Sequence, residues 1–104
     1  MKTLHDFRRM AIHLTDERSA HILERPEMSS LEDAIDETLQ DPESVIRSRS
    51  DDQARLYYRF YSDTPVGEKY LCVVVKVRAE DAFILTAYLT DKLKEGEVIW
   101  SAES

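Results

Sequence analysis

The chain has 104 residues, 42% hydrophobic and 34% charged, with only 2 Gly and 3 Pro. That size and balance fit one domain (residues 1–104) around a single core and exclude a long disordered or repetitive protein. A single cysteine, Cys72, excludes an intramolecular disulfide and a Cys-cluster metal site. The N-terminus lacks the apolar core of a signal peptide and no run is long enough to span a bilayer, so a cytoplasmic protein without membrane contact, metal or other cofactor is expected. The net charge of -7 speaks against a nucleic-acid partner until it is divided along the chain. Residues 44–78 carry 7 bases and 4 acids, whereas residues 1–43 carry 5 bases and 11 acids. A binding site responds mainly to charges within a Debye length, roughly 8–10 Å, so the locally basic middle matters more than the total.

In chain order, Arg8 to Leu14 alternates apolar and polar residues and predicts a first strand. Thr15 is an N-cap for a helix over 15–25, with Asp16 and Glu17 complementing the dipole and Pro26 as the stop. Glu17, His21 and Arg25 fall at i, i+4, i+8 on one face of it. Ser29 and Glu32 have capping-box spacing, which predicts a second helix from Ser29, ended by Pro42, with Leu31, Ala34, Ile35 and Leu39 on its apolar face. A short strand over Val45–Ser50 is expected before the break at Asp51-Asp52-Gln53.

Three alternating segments then follow between Arg55 and Thr90 and predict an antiparallel meander. Thr64-Pro65-Val66-Gly67 suits a type I turn between the first two, and Ala79-Glu80-Asp81 turns into the third. Parity gives one apolar face holding Leu56, Tyr58, Phe60, Leu71, Val73, Val75, Val77, Phe83, Leu85, Ala87 and Leu89. The opposite parity holds Arg55, Tyr57, Arg59, Tyr61, Tyr70, Cys72, Val74, Lys76, Arg78, Ile84, Thr86, Tyr88 and Thr90, a face with bases, tyrosines and hydroxyls but no carboxylate. Val45, Arg47 and Arg49 join it if Ile46 points to the core. Asp91 caps a short helical turn, Lys92 to Glu95, closed by Gly96, and Val98, Ile99 and Trp100 pack the tail on the body.

The order H-x-x-x-R-P-E-M (His21 to Met28), an amphipathic helix ending at Pro, an R-x-R strand, the segment YYR and a last strand reading TAYLT resembles the phage-type nuclease domains grouped with barnase, EndoU, colicin RNases and RelE, the BECR-fold nucleases. The resemblance implies an α+β fold with two N-terminal helices packed on one face of a four- to five-stranded, mainly antiparallel sheet. It also implies metal-independent RNA cleavage, of a toxin or phage-conflict type, with a site built from a His, Arg or Lys and a hydroxyl of the last strand. The candidates for those positions are His21, Arg59 and, as the hydroxyl, Thr86 or Tyr88. A protein inhibitor of antitoxin type would be the natural partner of such a nuclease.

RNA self-cleavage needs a base for the 2′-hydroxyl proton, an acid for the leaving 5′-oxygen and cations for the charge on the phosphorane, and Arg can supply the last by charge-assisted hydrogen bonds. His21 is the natural titrating group. Arg25, which projects with His21, and Arg47, Arg49, Arg55 and Arg59 would hold phosphates, and Tyr57 would stack a base. The plain alternatives are a surface histidine near a helix end, arginines paired with loop carboxylates, and tyrosines that are ordinary strand residues. A binding module without chemistry, for RNA or for a basic protein, fits the acidic total better. All of this depends on whether a histidine on a helix reaches the strands that carry Arg59 and Thr86.

Overall fold

In a computed structural model, which describes residues 1–102, the chain forms one seven-stranded sheet with two helices. The strands are β1 (Lys2–His5), β2 (Ala11–Leu14), β3 (Ser44–Ser48), β4 (Ala54–Thr64), β5 (Gly67–Val77), β6 (Ala82–Thr90) and β7 (Gly96–Ser101). The helices α1 (Asp16–Leu23) and α2 (Glu32–Gln40) are separated by a 3-10 turn, Pro26–Met28. Across the sheet the order is β1-β2-β6-β5-β4-β3-β7, all antiparallel except β2 beside β6.

This corrects the expected sheet of four to five mainly antiparallel strands. Of the predicted first strand over 8–14 only Ala11–Leu14 is strand, and it pairs with β1 in a hairpin turned by Asp6, whose Oδ1 accepts from the amides of Arg8 and Met10. The predicted turn of helix at 92–95 does not form, that stretch being an irregular crossing, and the tail expected merely to pack on the body is strand β7, hydrogen-bonded along β3. Gly96 is required there by close approach, since a Cβ would overlap the carbonyl of Arg47. The two helices lie between β2 and β3 in the chain, so the sheet also has strands before them.

The meander of β4, β5 and β6 forms as the alternation predicts. Thr15 caps α1 by accepting from the Arg18 amide, and Pro26 opens the 3-10 turn. The second helix starts at Glu32 instead of Ser29. Its N-cap is Leu31 without a side-chain bond, while the Ser29 hydroxyl donates to the Pro26 carbonyl. Ile22 from α1, Met28, and Ile35 and Leu39 from α2 are all at most 2% exposed among Ile12, Leu14, Leu71, Val73, Val75, Ile84 and Ala87. Each such side chain stabilises by roughly 1.5–3 kcal/mol, which seats both helices on one face of the sheet.

The opposite face is not solvated. Ile46, Leu56, Tyr58 and Cys72 form a second buried cluster, with Tyr70, Val74 and Tyr88 against it. The connection from β6 to β7 must cross from the middle of the sheet to its far edge, and it does so on this side, where the Lys94 amide donates to the Tyr58 hydroxyl at 3.1 Å.

Two cores change which side chains share a face. Directly paired antiparallel residues point the same way, and β4 pairs with β5 as Tyr57 with Val73 and Arg59 with Leu71. The Arg/Tyr row of β4 therefore lies under the helices, with the valines that parity had placed opposite it. Leu56, Tyr58 and Phe60 face the other way. In β6 a bulge at Leu85, between the pairs Val74 with Thr86 and Val75 with Ile84, turns Ile84 into the helix-side core and Phe83 out of it. The single basic, tyrosine-rich face expected from alternation does not exist.

Candidate functional site

The nine side chains singled out from the sequence fall into five places. Tyr57 is fully buried, and its hydroxyl donates at 2.8 Å to Oδ2 of the buried Asp6, so it presents no ring for stacking. Burial, with the Asp6 carboxylate beside it, pushes its phenol well above the ordinary tyrosine range. Arg55 and Arg47 are opposite each other in register at the same end of the sheet. Arg47 is paired with Glu97 at 3.2 Å and Arg49 with Glu95 at 3.2 Å, both exposed contacts in which β7 and the connection leading into it supply the carboxylates.

Arg59 is held by α2. Its Nη1 donates to the carbonyl of Asp41 at 2.9 Å and to its Oδ2 at 3.2 Å, while Nε lies 3.5 Å from Glu37 Oε1 in ion-pair but not hydrogen-bond geometry. Tyr61 next to it donates to Glu37 Oε1 at 2.6 Å. The expected central phosphate ligand is thus spent on closing the end of a helix, as an arginine near a C-terminus does.

Tyr88 lies on the helix-free face with Tyr58 and Cys72. Its hydroxyl is buried beside theirs without a well-formed hydrogen bond, and the Lys94 ammonium sits 5.9 Å from its ring centre. Burial raises the phenols of Tyr58, to about 12, and Tyr88, and the Cys72 thiol as well. A thiol so protonated is a poor nucleophile.

His21, Arg25 and Thr86 do come together. β2 pairs with β6 only at His13 and Phe83, and the rest of that edge of β6 is followed by α1. Two arginines of this stretch plug the edge carbonyls: Arg18 Nη1 donates to Leu85 O at 3.0 Å and Arg25 Nη2 to Ala87 O at 2.6 Å. Arg25 Nη2 also reaches the Thr86 hydroxyl at 3.4 Å. An exposed sheet edge invites pairing with other chains, and capping its carbonyls with charged donors is one way to blunt it.

Between these anchors, His21, Glu24, Arg25, Pro26 and Thr86 line an open cleft of about 440 Å³. His21 Nδ1 and Glu24 Oε2 are 3.9 Å apart, and both side chains are more than 70% exposed. The cleft therefore holds a titratable imidazole, a carboxylate, a fixed guanidinium and a hydroxyl within reach of solvent. Glu24 and Arg18 were passed over in the sequence, although their positions three residues after and before His21 place them beside it on a helix.

Among the described residues no group of three or more His, Cys, Asp or Glu is arranged to hold a metal ion, and no helix is long and apolar enough to cross a membrane. Comparison of the chain with protein-family models, with curated proteins and with solved structures gave no match.

Proposed function

We propose that the protein is a metal-independent endoribonuclease whose site is the cleft between α1 and β6. One observation carries this reading: His21, Glu24 and Arg25 share a cleft with Thr86, which is 61 residues from Arg25 in the chain. In the reaction the 2′-oxygen attacks phosphorus and the bond to the 5′-oxygen breaks. His21 and Glu24 between them take the 2′-hydroxyl proton and protonate the departing 5′-oxygen. The guanidinium of Arg25, already fixed by the Ala87 carbonyl and Thr86, faces the charge that gathers on the phosphorane without having to reorganise. Arg59 and Tyr88, which the family resemblance had suggested, have no part in this assignment because neither lines the cleft.

The test is cleavage of mixed RNA in the presence of a chelator by the wild type, His21→Ala, Arg25→Ala and Arg59→Ala. Loss of activity in the first two variants and its survival in the third support the assignment. Equal cleavage by all four proteins, or none by the wild type, rejects it.

A second reading has its own observation. Residues 26–46 contain seven acids and no base, and much of that charge lies on or beside the outer side of α2, where Lys2 pairs with Glu32 and Arg59 with Glu37 and Asp41. Such a surface suits a basic protein partner, including an inhibitor of the nuclease. Binding of that kind would weaken with salt and with Asp33→Lys or Asp36→Lys, neither of which touches the cleft.

A further inference from the structure

The cleft at His21 has a neighbour. Glu17, Arg18 and His21 line a second hollow of about 290 Å³, so the histidine belongs to both. Arg18 and His21 stand at i and i+3 on α1, and Arg25, just past its C-terminal end, joins them at the edge of β6, where both arginines donate to carbonyls of that strand. The two guanidiniums are pinned to carbonyls two residues apart on one strand, Leu85 and Ala87, which sets their anchor points at most about 7 Å apart. A guanidinium has five N–H donors, so a carbonyl that takes one fixes its position and leaves others for an anion.

From this we infer that the seam of α1 and β6 is a track for two phosphates of one single strand of RNA. The scissile phosphate lies between His21 and Arg25, and a neighbouring phosphate lies at Arg18. This deepens the nuclease reading and rests on it for the choice of RNA. It adds a substrate class, single-stranded RNA longer than a dinucleotide, and a positioning residue, Arg18. A duplex does not fit the arrangement, since the anchors follow one strand edge along one helix and, among the described residues, no second basic row accompanies them. Glu17 lines the same hollow and opposes a second phosphate, so affinity there is modest and depends strongly on salt.

The experiment is fluorescence anisotropy at low ionic strength with 2′-O-methyl oligonucleotides, which cannot be cleaved, comparing a dinucleotide with a mixed-sequence hexanucleotide. The wild type is expected to hold the hexanucleotide up to about fivefold more tightly than the dinucleotide, the scale of one exposed charge contact. In Arg18→Gln, whose amide still offers an N–H to the Leu85 carbonyl, that ratio falls toward one and the salt slope for the hexanucleotide drops by about 0.7. Arg25→Gln weakens both ligands. A melting curve for each variant separates loss of binding from loss of fold.

A ratio that persists in Arg18→Gln overturns the track, as does a wild type indifferent to length or one that prefers duplex. Length-dependent binding with no cleavage of natural RNA leaves the track standing and overturns the catalytic reading. Cleavage without length dependence does the reverse, and a wild type that neither binds nor cleaves RNA overturns both.

Discussion

Arg25 and Arg59 are both half-buried arginines that donate to a backbone carbonyl, yet they belong to different kinds of region. Arg59 sits among Glu37, Asp41 and Tyr61, where its partners are two carboxylates and the end of a helix. Arg25 has a carbonyl and a hydroxyl as anchors and faces a cleft with an exposed histidine. A guanidinium neutralised by carboxylates contributes to folding and has little left for a ligand. One anchored by neutral acceptors keeps its charge for whatever enters the cleft. The seam of α1 and β6 is thus where polar groups remain available, whereas the row Tyr57, Arg59, Tyr61 has been consumed by the core and by α2.

The sharpest way to break this contrast is kinetic. His21→Ala should lower RNA cleavage by about 10²–10⁴-fold, the usual contribution of a positioned acid or base, while Arg59→Ala leaves the rate per folded molecule within a few-fold. Initial rates under chelator, corrected for the folded fraction, decide it, and a large loss in Arg59→Ala would move the site to α2.

Next in size is Tyr57→Phe. It removes a donor from the buried carboxylate of Asp6, which still accepts from the Arg8 and Met10 amides, and should cost about 1–3 kcal/mol in denaturant unfolding with no effect at the cleft. An unchanged midpoint would mean that Tyr57 and Asp6 do not depend on each other.

Alkaline pH probes the same core more gently. Tyr58 and Tyr61 have phenols raised to about 12, in both cases by burial first, with Glu37 adding to Tyr61. In the unfolded chain they titrate near 10. Above that pH the unfolded state binds fewer protons than the native one, so the stability these phenols contribute is full below pH 10 and is lost as pH rises toward 12. Melting temperatures at pH 9 and pH 11 should differ in that direction, and less so in Tyr58→Phe. The smallest effect expected is that of Arg59→Ala on stability, up to about 1 kcal/mol, since its carboxylate partners are exposed and screened.

Local chemistry was well written in the sequence. Thr15 as the cap of α1, Pro26 as its stop, the helix-side apolar residues Ile35 and Leu39, and the meander of β4, β5 and β6 follow from propensity, capping and alternation, which act over a few residues. The Ser29 to Glu32 spacing misled because the 3-10 turn took the Ser29 hydroxyl first. Of the site, His21 and Thr86 were legible as chemistry and Arg25 as a helix neighbour of His21. Their meeting was not, because it depends on how α1 docks along β6.

The sequence by itself determined that helices and an antiparallel meander combine in this chain, that its middle is locally basic and that His21 lies on a helix close to arginine. Tertiary structure decided which side of β4 faces the helices, because tyrosine suits either environment and alternation names two faces without saying that both are buried. It decided also that β7 closes the far edge of the sheet and that α1 follows the edge of β6. Those are matters of register and docking, set by pairs such as Tyr57 with Val73 and Arg25 with Ala87, whose members lie far apart in the chain.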